Sequence, residues 1–284
     1  MIDRKRIEHL VRTALTEALG AEEAGRRPVD ASGALVIPPD RGVNLGSPFD
    51  GGALGRMLAA QPARLAVGRT GLGTRYRTNT LLRFRADHAA AKDAVMSEVD
   101  PELLARLGLF EVATRADGKR GHLSRPDAGR VLSDAARAEI QRRCPRGQKL
   151  QIVYGDGLSS AALNEHLETY HRALLAELAA AGVRPGPAFF VRYSRVKVMD
   201  EIARLVDAEA ALFVCGERPG LGYSDSLSAY YIYRPGAGAT DANREVISNI
   251  NPRGVDPARA ARLTAEAIAR ILSERRSGVR SQGA

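Results

Sequence analysis

From Pro145 onward the chain alternates short apolar runs with longer stretches of helical period, and few folds accept that alternation. "KLQIVYGDG" reads as a strand ending in a glycine turn, and a long helix from Ser160 to Ala181 follows it. "PAFFVRYSR" is a second strand, "VKVMDEIARLVDA" a second helix, "AALFVCGE" a third strand and "LSAYYIYRP" a fourth. A last helix has clear limits, with Asp256 as N-cap, Pro257 in the first turn and Gly278 past the end. Strand–helix–strand–helix–strand is the order of a doubly wound, mostly parallel sheet, so the expected fold class is α/β. Such sheets bind ligands beyond the carboxyl ends of their strands. "GDGLSS", "RYSRVK" and "GERPGLG" all fall there.

The chain before Pro145 has a different character. Residues 1–20 carry an amphipathic helix, with Ile7, Leu10, Val11, Ala14, Leu15, Ala18 and Leu19 on one face. Residues 21–60 are rich in Gly and Pro and read as a linker. Residues 61–146 form a mainly helical region, and 147–284 the α/β domain. Within the helical region, "LLRFRADHAAAKDAVMSEV" is one helix, and "RPDAGRVLSDAARAEIQRRC" is a second that starts at its proline. Between them "FEVAT" and "GHLS" flank Asp117-Gly118, which predicts a short hairpin.

Composition closes off several classes. No apolar run of eighteen residues exists, and the N-terminus lacks the pattern of a secretory signal. Cys144 and Cys215 match no metal-ligand spacing, which suits a reduced cytosolic interior. The net charge of +9 raises the question of nucleic acid. Of 42 basic residues only five are Lys, a bias that abundant Ala and Gly tie to a GC-rich coding sequence. Zinc-finger spacings and aromatic–basic RNA signatures are missing, so no nucleic-acid partner is expected.

Candidate chemistry centres on "GERPGLGYSDSLS", whose Gly216, Gly220 and Gly222 resemble a phosphate turn. Tyr193 and Lys197 add a Y-x-x-x-K pattern, the catalytic pair of short-chain dehydrogenases. A dinucleotide-binding enzyme needs the glycine turn first in the chain and a helix directly after it. Here the order is reversed, and "SDSLSAYYIY" reads as a strand. Walker, zincin and nucleophile-elbow motifs are absent. His166 and His171 are five apart on one helix, not side by side, and are expected at the surface or an interface. His122 and His88 show no obvious partners. Asp156 either orients a ligand hydroxyl or caps the next helix. A ligand crevice without a catalytic set is what these residues describe.

Six segments resemble a known family: "LLRFRADHAAAKDAV", "LSRPDAGRVL", "DGLSS", "FFVRYSRVKVMDEI", "GERPGLGYSDSLSAY" and "ISNINPRG". In this order they are similar to the small (light) subunit of ethanolamine ammonia-lyase, from about residue 64 to 275. The resemblance implies an adenosylcobalamin-dependent lyase that converts ethanolamine to acetaldehyde and ammonia by radical chemistry. It implies a TIM-barrel large subunit as partner in a hetero-oligomer, with this chain active only in its company. It further implies a Rossmann-like domain at residues 147–284 that helps enclose the cofactor, and no catalytic residue or protein metal ligand in this chain. The family's cobalamin contacts carry over to Val196, Glu217 and Val246, the last standing where many members have Cys. Cobalamin is expected base-on, since D-x-H-x-x-G does not occur. The implied location is the bacterial cytoplasm, and in relatives a peptide like residues 1–20 directs the enzyme into microcompartments. The rival functions are a non-catalytic corrinoid-binding protein and a nucleotide-dependent oxidoreductase.

Overall fold

The computed structural model describes residues 78–279 except Gly222 and Ala237; the N-terminal helix and linker expected over 1–60 lie outside them. Two compact units divide after Ala89, and the second, from Ala90, holds the whole sheet. The described elements are α1 (Thr78–Met96), α2 (Pro101–Arg106), β1 (Phe110–Ala113), α3 (Gly118–Ser124) and α4 (Asp134–Arg143). They continue as β2 (Leu150–Gly155), α5 (Ser160–Ala180), β3 (Phe189–Arg192), α6 (Val198–Leu205), β4 (Ala210–Gly216), β5 (Leu227–Tyr233), β6 (Glu245–Ile250) and α7 (Pro257–Glu274).

The six strands form one sheet in the order β1-β3-β2-β4-β5-β6. β1, β3, β2 and β4 run parallel, while β5 and β6 add antiparallel pairs at one side. The fold is therefore α/β with a mostly parallel sheet. β2 and β4 are buried along their whole length, which is why both read as unbroken apolar runs instead of alternating ones.

Helices cover both faces, and the period-2 geometry of the strands sorts the side chains between them. Leu150, Ile152 and Tyr154 of β2, with Leu212 and Val214 of β4, pack with α2, α5 and α7. Val153, Ala211, Phe213 and Cys215 point the other way, onto α4 and α6. α5 supplies Leu163, Leu167, Tyr170, Leu174 and Leu178, all wholly buried at spacings of three and four. Its start is set by Ser159, whose hydroxyl accepts from the Ala162 N–H. α7 starts as its sequence signals predict: Asp256 accepts from the Ala258 and Arg259 amides, and Pro257 comes next.

Three expectations need correction. Phe110–Ala113 is a strand, but it pairs in parallel with β3, and Gly118–Ser124 is a helix instead of a hairpin's return strand. The turn signal at Asp117-Gly118 is real, since Gly118 has φ +65°. The state of the next residues is decided by burial, because Lys119 and His122, three apart, sit on one helical face against the sheet's end. The helix expected from Pro126 begins only at Asp134, capped by Ser133, after a single 3-10 turn at Ala128–Arg130. His166 and His171 are buried, not superficial, and the His171 Nδ1 lies 2.6 Å from the Tyr154 hydroxyl.

Gly216 closes β4 where a Cβ would stand 1.9 Å from the Ser159 carbonyl oxygen. Gly216→Ala is expected to cost about 2 kcal/mol or more in urea unfolding, because backbone on both sides must move. His171 gives a pH prediction. Burial, reinforced by Arg172, holds its pKa below the ordinary 6.5. The unfolded chain then binds the proton first, so stability falls as pH drops through the unfolded value. His171→Gln should flatten that acid limb; an unchanged slope of unfolding free energy from about pH 7 to 5 would assign it elsewhere.

Candidate functional site

The carboxyl ends of the four parallel strands gather at one edge of the sheet. At its centre is Asp156, one residue past β2 and 1% exposed. Its Oδ2 accepts from the Tyr193 amide and its Oδ1 from the Ser194 amide, each at 2.9 Å. Thr114, just past β1, donates its hydroxyl to the Tyr193 carbonyl at 2.8 Å. The Arg195 amide donates to the Gly129 carbonyl at 2.8 Å. Every bond fixes the segment that leaves β3. Tyr193 needs fixing, since its φ of +57° is left-handed, a conformation that costs a residue with a Cβ roughly 1–2 kcal/mol.

Asp156 therefore neither caps α5 nor faces a ligand. Its charge is met by Lys119, whose Nζ lies 3.6 Å away and donates to Ser160 Oγ at 3.1 Å. Burial pushes the Asp156 carboxyl up; Lys119 and the two amides oppose it. His122 completes the cluster, with Nε2 at 2.6 Å from the Gly157 carbonyl. That oxygen only accepts, so Nε2 carries the proton, and burial keeps the ring's pKa low. Gly129 keeps the space tight: a Cβ there would meet the Tyr193 oxygen at 2.9 Å and Arg195 Cγ at 3.0 Å. His122, without partners in the sequence, has them here.

The clamped segment continues through Val196 and Lys197 into α6. There a cleft of ≈ 550 Å³ opens, lined by Val196 and Lys197, by Tyr230 of β5 and Val246 of β6, and by Arg195 and Arg244. Val246 is directly across the ladder from Tyr230 and is 47% exposed. Arg244 forms part of the floor, paired with the buried Asp200 and with Asp241 at 2.6 Å. Burial raises the Asp200 carboxyl, and the Arg244 charge pulls it back.

Of the sequence-predicted residues, Val196 and Val246 meet on this cleft although fifty positions separate them. Glu217 does not line it. Its Oε1 accepts from Ser228 Oγ and from the Asn249 amide, both at 2.6 Å. It thus ties the loop after β4 to the strand that carries Val246. The loop is also hooked to α5 by Ser159 Oγ on the Ser224 carbonyl at 2.6 Å and by His166 at 3.5 Å from Asp225. It leads into β5, so no helix N-terminus stands where a pyrophosphate would need one. Lys119 was concealed by the turn pattern around it. Arg244 has no local signal, because it stands between a 3-10 turn and β6, an edge strand of mixed polarity.

Both cysteines are buried free thiols, and Cys144 is pushed up to about 11 by burial. Among the described residues no cluster of His, Cys, Asp or Glu could hold a metal ion. No described helix is long and apolar enough to cross a membrane. Asp156→Ala would leave Lys119 buried without its counter-charge and two amides without an acceptor. The expected loss is about 3–5 kcal/mol in urea unfolding, partly recovered by adding Lys119→Met. A single-variant cost below about 1 kcal/mol would show that the cluster does not hold the loop.

Comparison with known proteins gives one family. Its model, described as Ethanolamine ammonia-lyase light chain (EutC), matches residues 52–281 of the chain. The match covers all of the sheet and both walls of the cleft.

Proposed function

The chain belongs to the ethanolamine ammonia-lyase light-chain family, and from that premise we propose that its cleft is one wall of a cobalamin site completed by the large subunit. The convergence of Val196 and Val246 on one cleft carries the proposal, because the resemblance assigns both positions as cofactor contacts independently of any geometry. The cleft's surfaces suit a corrinoid: Val196, Val246 and Ala239 offer apolar contact, and the Tyr230 hydroxyl offers a donor to amide carbonyls. Its size and open side accommodate part of so large a cofactor, which leaves the opposite wall to a partner chain. The domain from residue 147 is then a Rossmann-like cobalamin-contacting domain, with base-on cobalamin at the carboxyl edge of its sheet.

When bound, adenosylcobalamin supplies the radical chemistry by which ethanolamine becomes acetaldehyde and ammonia. This chain's residues bind and orient. Val196 is delivered at a fixed height by the Asp156–Thr114 clamp on the preceding residues. Val246 is held on β6 by its ladder to β5. Glu217 keeps one oxygen for its two protein donors, and its Oε2, which takes no hydrogen bond from a described residue, is the atom offered to the cofactor. Closure of the large subunit over this wall excludes water from the reacting centre. No group of this chain takes part in bond breaking. The enzyme works in the bacterial cytoplasm, and residues 1–20 are its route into a microcompartment where the organism makes one.

Two measurements test this. The chain, its large subunit, adenosylcobalamin and ethanolamine together should release acetaldehyde, and neither subunit alone should. Aldehyde from the large subunit by itself would remove this chain from the cofactor site. In the assembled complex, Glu217→Ala should weaken cobalamin retention on gel filtration by about tenfold without dissociating the subunits.

A further inference from the structure

The cleft is more basic than an amide-rich ring system requires. Arg130, Arg195, Lys197 and Arg244 line it against two acids, Asp241 and Glu245. Both acids are already engaged, Asp241 by Arg244 and Glu245 by Arg270 at 2.5 Å. Arg130, Arg195 and Lys197 form no ion pair with any described carboxylate. The Arg195 Nη2 donates to the His122 carbonyl at 2.8 Å, a neutral acceptor, and the carboxylate that acts on it from a distance, Asp156, is already engaged by Lys119 and two amides. Its Nε and that of Arg244 are buried without an acceptor. Arg244 is 8% exposed, so this is a donor withheld from water as well as from protein. A guanidinium N–H in that state is costly unless an acceptor arrives.

Placement makes the excess charge specific. Arg195 and Lys197 flank Val196, and Arg195 is pinned through its amide to Gly129, next to Arg130. The three cations therefore come from two segments fixed to each other, with the apolar contact between them. A tetrahedral oxyanion is the ligand that three such donors converge on, and arginine suits it through paired N–H groups.

We propose that this basic wall binds a phosphate group, and that the group is the phosphodiester in the nucleotide tail of cobalamin, so that the wall sets the tail's position beside Val196. This rests on the cobalamin reading above and extends it from apolar contact to anion recognition. Arg195 and Lys197 grip the phosphate, Arg130 adds charge from the rim, and Arg244 turns its free Nε–H toward the same acceptor. The clamp at Asp156 thereby positions the phosphate donors along with Val196.

The test compares corrinoids that differ only in the tail. The assembled complex of both subunits is titrated with adenosylcobalamin, adenosylcobinamide phosphate and adenosylcobinamide, and binding is read from corrinoid absorption retained on gel filtration. The expected result is that cobinamide phosphate recovers much of an affinity that cobinamide loses. Arg195→Gln with Lys197→Gln should weaken the two phosphate-bearing ligands by about tenfold or more and leave cobinamide unchanged. Arg130→Gln, at an exposed position, should repeat the pattern with a smaller effect and no risk to folding. Inorganic phosphate should compete with cobalamin and not with cobinamide; tight phosphate binding that leaves cobalamin affinity untouched would mean a separate anion site and would overturn the proposal. Equal loss for all three corrinoids in the variants would reduce the arginines to packing and also overturn it, with cobalamin binding itself intact. Failure of the complex to bind any corrinoid would instead sink the cobalamin reading, and this proposal with it.

Discussion

Both oxygens of Asp156 are spent on the backbone that leaves the neighbouring strand, and the local architecture at the sheet's edge depends on that bond pair. The amides of Tyr193 and Ser194 are held by a charge that is itself buried and met by Lys119. With Thr114 on the Tyr193 carbonyl, the left-handed residue is fixed at both its N–H and its C=O. Strain of this kind persists only where surrounding structure over-determines it. Here the surroundings are the ends of β1, β2 and β3, so three parallel strands jointly decide where Val196 and its basic neighbours stand.

That arrangement explains why the site holds so little chemistry. Asp156 and His122, buried acid and base at the strand ends, face inward and are consumed in holding the loop; neither lines the cleft. The cleft itself presents apolar side chains and cations, with its acids already paired. Such a surface suits the role proposed for it, recognition of a ligand whose own chemistry breaks the bonds. A family of light chains, which by its description shares an enzyme with another subunit, is a natural owner of it.

Much of the sheet was legible because its central strands are buried on both faces and therefore written as apolar runs. "LQIVYG" and "AALFVCG" could hardly be anything else between helices of clear period. The elements that were missed or misjudged are those whose state depends on distant partners. β6 alternates half-buried with exposed residues and carries no apolar run. α3 comes after a glycine turn that suits a hairpin equally well, and only the burial of Lys119 and His122 selects the helix. His166 and His171 are expected at the surface or an interface because nothing local pairs with them; their partners, Asp225 and Tyr154, come from a loop and a strand that the helix's own periodicity does not reveal.

The glycine-rich stretch 216–228 divides the two kinds of knowledge. Its sequence alone excluded a dinucleotide turn, because the residues after it have strand and not helix character, and a phosphate turn depends on that local continuation. The sequence also determined the α/β alternation and, through long unusual motifs, the family. Only the tertiary structure decided that Gly216 is required against the Ser159 carbonyl, that Glu217 reaches across to β6, and that Val196 and Val246 share a cleft with Arg130 and Arg195. The reason is one of range. Propensity and periodicity act over a few residues, whereas a buried carboxylate and a cleft are made by strands dozens of residues apart that meet only when the sheet closes.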